Sequence, residues 1–556
     1  MAKHQGRVEG LPERSSRDGK KLSRREFLKG AAVVAGGTVV TGIVAACGGQ
    51  VVPSSAPTTA SGANANAPTA AAKPAAPAVI TPAGKLTVAQ GIDPRSLWGN
   101  SSTTQQEINV SEQITEKLIE FSTDAKEFEP RLATEWKQID DTTLEMKLRP
   151  GVTFTNGEAF DAASAKFSID QMINARSYAA FVGVIAGCEI VDKSTIRIKT
   201  KSPTLLHMPA LAMGSFQYPP AYFQQVGMDA FGQKPIGTGP YKLVEWVKDA
   251  AVTLEANEKY WGGPPPTKTV VFRNIPEGAA KLAALEAGEL DFIIDVPLDA
   301  VERIERNANL QLFSRPSNRL FYLVPSMLTD TPLKNAKVRQ ALWHAVDVNA
   351  LIQGLFKGRA QPLAGQVLAP GFFGYDPNRK PTPYDPEKAK RLLAEAGFPD
   401  GFEFVFKYPS GRYAQDKEAG QAIVTQLTKV GLKPKQEVLE SGTFLNQLTT
   451  LKLNDMYLGG SLPPPDIHFM YQQFQTGFLY SYYTNPQFDQ LLKQGAATAN
   501  REERAAIYKK MLDLCEQDPP YVPLYQPEDY YAGSKKLSGF VPRASQFLDM
   551  RAFQLG

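Results

Sequence analysis

The sequence contains few of the residues that usually form metal or redox centres. It has three Cys and four His among 556 residues, and no pair of them is spaced as in H-x-x-x-H or C-x-x-C. It also lacks the G-K-[ST] ending of a phosphate-binding loop and the G-x-S-x-G of a nucleophile elbow. These absences disfavour the common zinc, dithiol, NTPase and serine-hydrolase classes, and we predict no catalytic residue, no metal and no cofactor.

A large excess of charge of one sign is also missing. The formal net charge is +4, and the first 46 residues hold nine Lys or Arg against four Asp or Glu, so the remainder is close to neutral. A neutral body offers no electrostatic footprint for nucleic acid. The composition, 43% hydrophobic and 21% charged, is typical of globular domains and excludes a polytopic membrane protein. Carboxylates are plentiful, so composition leaves a glycosidase-type acid pair open.

The N-terminus carries an export pattern. Arg24 and Arg25 lie in S-R-R-E-F-L-K, directly before a weakly apolar run, residues 30–46, that is short and glycine-rich for a membrane span. The arrangement resembles a twin-arginine (Tat) signal, which exports folded proteins, so residues 1–46 are predicted to be a signal peptide. The alternative is a chance arginine pair before a buried helix.

A lipid attachment pattern follows the signal. Cys47 stands in V-A-A-C-G-G, which resembles a bacterial lipobox, and several acyl chains on one Cys anchor a protein stably because each buried CH₂ contributes about 0.8 kcal/mol. Residues 47–83 are rich in Ala, Pro, Ser and Thr, so after the lipidated Cys we expect a flexible tether. An A-x-A-like cleavage site with an incidental Cys, and a processing remnant in place of a tether, are the alternatives.

Hydrophobic periodicity predicts a mixed α/β body. Strands are predicted at residues 85–90, 144–148 and 195–199, and helices at residues 108–119, 162–173, 386–396 and 501–516, the third helix ending at Gly397. Neither type of element is segregated and no internal repeat is found, which indicates more than one core. Cys188 and Cys515 are far apart in sequence, and we expect them to be unpaired.

Several separated motifs resemble one family. They are E-P-R-L-A-T-E-W (129–136), L-R-P-G-V-T-F-T-N-G-E-A-F-D-A (148–162), G-T-G-P-Y-K-L (237–243), N-E-K-Y-W-G-G (257–263), V-R-Q-A-L (338–342), N-P-Q-F-D (485–489) and Y-V-P-L-Y (521–525). In this order they resemble the signature of family 5 bacterial solute-binding proteins, the dipeptide-, oligopeptide- and nickel-binding components of ABC importers. The likeness spans about residues 85–543.

The resemblance implies an α/β, type II two-lobe fold like that of periplasmic binding proteins, with an extra domain inserted in lobe I. We expect lobe I at residues 84–118, 236–322 and 524–556, the extra domain at 119–235, and lobe II at 323–523. Most motif residues are expected to be structural. Gly237 and Gly239 are expected to supply turn geometry, while Val338, Ala341 and Leu342 should lie on the core face of a helix.

The predicted pocket segment departs from the peptide-binding pattern. In those relatives a G-W-x-A-D-Y-x-D-P-like segment provides a first Asp that holds the ligand's α-ammonium. Aligning its second acid on Asp466 places Gly459 on the Gly and Pro463 on that first Asp, so the resemblance implies that this anchor is missing unless Asp466 replaces it. A buried ammonium without a carboxylate is costly, so a blocked peptide, an opine-like compound, an oligosaccharide or a chelated metal remains open.

The predicted ligand-binding residues come from both lobes. Lobe I is expected to contribute Asp93, Arg95 and Trp98, in and after the turn that follows the first strand. Lobe II is expected to contribute Arg412, Tyr413, Tyr457, Gly459, Ser461 and Asp466. An Arg holds a carboxylate bidentately, and aromatic faces line pockets for peptides and sugars. The alternative for each is an ordinary loop or core residue.

The sequence therefore predicts a monomeric solute receptor, not an enzyme. We expect it in the periplasm or on the outer face of the cell membrane, held there only by its lipid, where it delivers a peptide or related solute to an ABC permease with separate ATPase subunits. Two alternatives stay open: a secreted hydrolase of sugars or peptides, and a solute receptor for a signalling partner.

Overall fold

The computed structural model describes residues 81–101, 104–175 and 178–556, so Arg24, Arg25 and Cys47 lie outside the described residues. The strands are β1 (Ala83–Gln90), β2 (Ile119–Phe121), β3 (Phe128–Pro130), β4 (Ala133–Asp140), β5 (Thr143–Leu148), β6 (Ile185–Asp192), β7 (Thr195–Thr200), β8 (Tyr241–Val247), β9 (Ala251–Ala256), β10 (Thr267–Asn274), β11 (Phe292–Ile294), β12 (Leu310–Pro316), β13 (Leu320–Pro325), β14 (Ala360–Pro362), β15 (Glu403–Ser410), β16 (Lys433–Glu440), β17 (Met456–Ser461), β18 (Val522–Pro523), β19 (Tyr525–Ser534), β20 (Leu537–Ser538) and β21 (Gln554–Leu555).

The α-helices are α1 (Gln105–Ile114), α2 (Ala162–Asn174), α3 (Ala179–Val182), α4 (His207–Gly214), α5 (Pro220–Gln233), α6 (Gly278–Glu286), α7 (Val301–Glu305), α8 (Ala336–Ala345), α9 (Val348–Phe356), α10 (Pro386–Glu395), α11 (Asp416–Lys429), α12 (Ser441–Thr449), α13 (Ile467–Tyr471), α14 (Pro486–Ala496) and α15 (Arg501–Gln517). Short 3-10 helices lie at Gly99–Ser101, Leu298–Ala300, Pro332–Lys334 and Gln472–Phe474. None of the helices in the described ranges is long and apolar enough to cross a membrane.

The first lobe is built on a sheet with the order β12-β19-β11-β1-β10-β9-β8, with β14 paired to β19. β1 runs parallel to both β10 and β11, so these three strands end at the same edge. Leu86 and Val88 of β1 are fully buried against Phe272 and Phe292 of its neighbours. The carboxyl edge of parallel strands is where ligands of α/β sheets bind.

The second lobe is built on a five-stranded sheet, β16-β15-β17-β13-β18. Every residue of β13, L-F-Y-L-V-P, is buried, as expected for a strand covered on both faces. Helices α8 to α15 surround this sheet. The predicted core positions Val338, Ala341 and Leu342 on α8 are fully buried, which confirms their structural role.

The chain passes between the two sheets twice, and the two crossings lie side by side. One crossing is residues 317–319, between β12 and β13, and the other is Leu524, between β18 and β19. The Ser317 N–H donates to the Pro527 carbonyl at 2.8 Å, and the Leu524 N–H donates to the Phe321 carbonyl at 3.0 Å. Two bonded crossings between lobes make a hinge, and the predicted two-lobe fold is confirmed.

The extra domain has a separate four-stranded sheet, β4-β5-β7-β6, with its own core. Its strands β5 and β7 alternate buried and partly exposed residues, as the sequence predicts. The residue limits proposed for the domains remain predictions. Cys188 in this domain and Cys515 in the second lobe are both buried and unpaired, which confirms that expectation.

The predicted helix at residues 108–119 is wrong at its C-terminal end. α1 stops at Ile114, the next residue, Thr115, is extended, and Ile119 begins β2. A loop closes against this helix end: the Gly239 N–H donates to the Ile114 carbonyl at 2.9 Å. A Cβ on Gly237 would lie 1.9 Å from the Ile114 oxygen, so these glycines are needed for close approach, rather than for the turn geometry that the sequence suggests.

Candidate ligand-binding cleft

A partly open cavity of roughly 100 Å³ lies where the two lobes and the extra domain meet, which is smaller than the usual ligand pocket. Pro463 of the second lobe lines it, as do its two following prolines. The other lining residues are Glu112, Lys117, Glu120, Phe121, Ala125, Ala212, Met213, Asn318, Leu462, Arg543, Ala544, Ser545 and Phe547. The cavity is therefore interlobar, and no carboxylate stands where the peptide-binding pattern places one.

Arg412 and Tyr413 are held in one geometry on the loop between β15 and α11. The Asp416 carboxylate accepts the backbone N–H groups of Arg412 and Tyr413 at 2.8 and 2.9 Å, and also those of Gly411 and Lys417. The Arg412 Nε donates to the Tyr413 hydroxyl at 3.0 Å, and that hydroxyl donates to the Gly460 carbonyl at 3.0 Å. The loop therefore holds a guanidinium and a phenol in one fixed arrangement; both residues are buried and neither is among those that line the cavity.

Strand β17 lies against this loop, and its Gly460 carbonyl accepts the hydrogen bond from Tyr413. Tyr457 packs edge-on against Phe444 and Tyr482, and burial raises its pKa far above the ordinary value. A Cβ on Gly459 would come within 3.2 Å of the Tyr457 ring, so the glycine gives that ring its room. The Ser461 hydroxyl bonds with the Tyr322 hydroxyl at 2.5 Å and donates to Gln473 Oε1 at 3.1 Å. These predicted residues are brought together beneath Tyr413.

Arg319 also belongs to this group, although sequence reasoning missed it. It lies at the first crossing, and its guanidinium carbon is 5.8 Å from the centre of the Tyr413 ring. Burial lowers its pKa, and Arg412 adds to that effect, while Tyr413, Asp529 and Asp295 oppose it. In the sequence, the one local sign of its position is that Arg319 directly precedes β13, a strand whose residues are all buried.

The three residues predicted from lobe I have partners within their own surroundings. Asp93 accepts from Trp246 Nε1 at 3.1 Å and pairs with Lys248 at 2.8 Å. Arg95 donates its Nε to Glu107 at 2.9 Å. None of Asp93, Arg95 and Trp98 is among the residues that line the cavity, so their contact with ligand stays a prediction.

Trp98 packs inside the first lobe and the extra domain. Its indole is buried in an aromatic cluster with Phe216, Tyr218, Phe223 and Phe231, and its ring centre is 6.2 Å from that of Phe223. Burial among these Phe and Tyr rings is favourable for the large apolar surface of an indole. The structure makes Trp98 a packing residue.

Asp466 is engaged by partners within the second lobe. Its two carboxylate oxygens accept from the two terminal nitrogens of Arg504, each at 2.8 Å, and one oxygen also accepts the His468 N–H at 2.9 Å. Asp466 and Arg504 are both buried. The carboxylate therefore caps α13 and neutralises a buried guanidinium, and its contact with a ligand stays a prediction.

The lobes approach each other across the cleft. The Phe181 ring of the extra domain is 5.8 Å from the Phe469 ring of the second lobe, centre to centre. On another face, Lys357 of the second lobe pairs with Glu302 of the first at 3.2 Å. The lobes are therefore in contact at two places in this structure.

Comparison with known proteins places the chain in a family. Residues 127–480 match the model for bacterial extracellular solute-binding proteins, family 5 (middle). The chain is 32% identical over 435 residues to the glutathione-binding protein GsiB of Pectobacterium atrosepticum, covering 72% of this chain and 80% of that protein.

Two solved structures show the same fold. One is the ABC transporter-associated periplasmic binding protein DppA of Helicobacter pylori in complex with peptide STSA, with 26% identity, a TM-score of 0.71 and coverage of 85% of this chain and 98% of that one. The other is the ABC transporter substrate-binding protein CtaP of Listeria monocytogenes, with 22% identity, a TM-score of 0.79 and coverage of 85% and 100%. This chain belongs to the family 5 bacterial extracellular solute-binding proteins.

Proposed function

We propose that this chain is the solute-binding component of an ABC importer and that it captures a small peptide, or an acid closely related to one, between its lobes. The observation that supports this most is the fixed group of Arg412, Tyr413 and Arg319, which lies beside the first crossing between the lobes. Two guanidinium groups beside a phenol provide converging donors for a carboxylate. GsiB, by its name, binds glutathione, and the DppA structure holds the peptide STSA; both ligands carry carboxylates.

The mechanism is a shift between open and closed lobes. Ligand that bridges Arg412 on the second lobe and groups on the first stabilises the closed form only by the contacts that the open form lacks. Changing a closed population from 1:99 to 99:1 requires about 5.5 kcal/mol of such differential binding. A few charge-assisted hydrogen bonds in a covered cleft supply energies of this size. The closed form then delivers the solute to a permease whose energy comes from separate ATPase subunits.

The same proposal places the protein outside the cell as a lipoprotein. Arg24 and Arg25 support export through a twin-arginine route, and Cys47 supports acylation at the new N-terminus. The segment between Cys47 and the folded body then serves as a tether. We also propose that the protein acts as a monomer.

Calorimetry with a ligand panel tests the function. The panel contains glutathione, the tetrapeptide Ser-Thr-Ser-Ala, a neutral trisaccharide and nickel–histidine, and we expect one of the first two to bind. Arg412→Gln should weaken that binding at least tenfold, whereas Arg391→Gln, an exposed arginine on α10, should leave it unchanged. Binding of the trisaccharide or the metal complex alone would overturn the peptide assignment, and hydrolysis of any panel member would favour the hydrolase alternative.

A further inference from the structure

We propose that Asp295 and Gln106 form a subsite on the first lobe that holds a positively charged nitrogen of the solute. The inference rests on the proposed function, because it takes the interlobe cleft as the place where solute binds. This subsite fixes the orientation of the bound solute. The carboxylate of the solute lies at Arg412 and Arg319, and its ammonium lies at Asp295.

Asp295 lies where the first lobe's parallel strands end. It directly follows β11, at the same edge at which β1 ends with Gln90. Its backbone is in the left-handed region, with φ of +57°, a conformation that costs free energy for a residue other than glycine. Its side chain is only partly exposed, and it is near enough to Arg319 to act on that guanidinium electrostatically.

Two glutamines beside Asp295 carry oxygen atoms that lack donors. Gln106 Nε2 donates to Asp295 Oδ2 at 3.4 Å, so the amide is aimed at the carboxylate. Gln90 Nε2 in turn donates to the Gln106 carbonyl at 3.2 Å. Each side chain is about 1% exposed, and within the described part of the chain neither Oε1 has a hydrogen-bond partner. Buried acceptors without donors are rare and costly.

Two cations, Lys281 and Arg319, act on Asp295 without forming a close ion pair with its carboxylate. Lys281 of α6 directs its ammonium to the backbone carbonyls of Ile294 and Asp295, at 2.8 and 3.4 Å. Among the described residues no ion pair within 4 Å engages the Asp295 carboxylate. Burial raises the pKa of Asp295 to about 6, Asp529 adds to the rise, and Lys281, Gln106 and Arg319 oppose it. An ammonium beside the carboxylate would favour its ionised form and would supply donors to it and to Gln106 Oε1 together.

The placement also accounts for the missing anchor of the second lobe. Pro463 provides no carboxylate, and Asp466 is paired with Arg504. An acid on the first lobe restores the ammonium partner from the opposite side of the cleft. A zwitterionic solute then contacts both lobes through its two charged ends, and each contact favours the closed form.

The test compares ligands with and without the positive charge. Calorimetry measures glutathione and Ser-Thr-Ser-Ala, each with a free and an N-acetylated amino group, on the wild type, Asp295→Asn and Asp299→Asn. Asp299 is exposed four residues away on the same lobe and serves as the matched control. We expect the wild type and Asp299→Asn to prefer the free amine at least tenfold, about 1.4 kcal/mol, and Asp295→Asn to bind the two forms within threefold.

Each possible result of this experiment either supports or overturns the Asp295 subsite. A wild type that binds both forms equally overturns the subsite while leaving the peptide function intact, and this comparison needs no variant. An amine preference that survives in Asp295→Asn also overturns it. If neither probe binds the folded wild type, the peptide function fails, and mass spectrometry of solute released from the purified protein decides: a basic nitrogen in that solute supports the subsite, and a solute without one overturns it.

Discussion

The Glu116 carboxylate accepts a hydrogen bond from Arg131 at 2.8 Å, and both residues are largely shielded from solvent. The same carboxylate accepts from the Tyr260 hydroxyl and Trp261 Nε1, each at 2.7 Å, and from the Thr238 hydroxyl at 2.9 Å. These four donors come from three of the separated family motifs. These three motifs therefore have the same structural role: they join the extra domain to the first lobe.

Glu116→Gln should destabilise the protein strongly. Burial raises the pKa of Glu116, with Arg131 and its hydrogen bonds opposing that rise, and removing the charge leaves Arg131 with only the more distant Glu120, at 3.7 Å, as a counterion. We expect a loss of about 3 kcal/mol, as for other broken buried pairs, measured by urea unfolding. Glu129→Gln, an exposed carboxylate on β3, should change stability by less than about 0.5 kcal/mol. Equal effects of the two substitutions would contradict this role.

His207 should make stability fall in mild acid. Burial lowers the pKa of this imidazole to about 4, below the value of about 6.5 expected in the unfolded chain. Between these two pH values the unfolded state binds a proton that the folded state refuses, so stability decreases as pH falls, by up to about 1.4 kcal/mol per pH unit.

His207→Gln should remove the contribution of His207 to this pH dependence, whatever the substitution does to stability at pH 7. Urea unfolding at several pH values between 4 and 7 measures the slopes of both proteins. His468, whose pKa burial also lowers to about 4, contributes equally to both and cancels in the difference. Parallel pH profiles would show that His207 is protonated to the same extent in both states.

Phe469→Ala should weaken closure of the lobes. The ring contact with Phe181 is made across the cleft, and an aromatic pair contributes about 0.5–1.5 kcal/mol beyond its buried area. We expect a two- to tenfold rise in Kd for the solute and a larger radius of gyration by X-ray scattering without ligand. Phe398→Ala removes a ring pair with Phe402 inside the second lobe and should change neither. A wild type whose radius is the same with and without saturating ligand would argue against a hinge.

Cys47→Ala should release the protein from membranes. The substitution removes the sulfur that accepts the acyl chain, and with it the apolar surface that holds the protein at the bilayer. Fractionation of cells followed by a salt wash measures the bound share. Serine substitution at Cys188, which is buried in the extra domain, should leave membrane association unchanged. Cys47→Ala protein that stays in the washed membranes would rule out the lipid anchor.

Replacing Arg24 and Arg25 together by Lys should block export. The replacement keeps both positive charges, so a general secretory route that reads charge alone would be little affected, whereas a route that reads the arginine pair would fail. Immunoblotting of surface and cytoplasmic fractions distinguishes the two. Lys20 and Lys21 changed together to Arg provide the control, and normal surface levels of the first variant would indicate another route.

Local patterns in the sequence predicted much of the fold. β1 and α2 lie within two residues of their predicted limits, and Gly397 ends α10 with φ of +93°, because periodicity and turn residues are local properties. The surroundings of the candidate site residues were predicted less well. The pairing of Asp466 with Arg504 joins residues 38 positions apart, and the approach of Arg319 to Tyr413 depends on the crossing between lobes. Such long-range contacts leave no periodic signal in one sequence.

Pro463, Pro464 and Pro465 at the cavity wall have a consequence for the length of the solute. Proline has no backbone N–H, so this wall offers no ladder of donors with which an extended peptide main chain forms an added strand. A long peptide would therefore gain little from each further residue laid along it. Selection then depends on the distance between the charged ends of the solute, which favours compact molecules that span the cleft over extended chains of variable length.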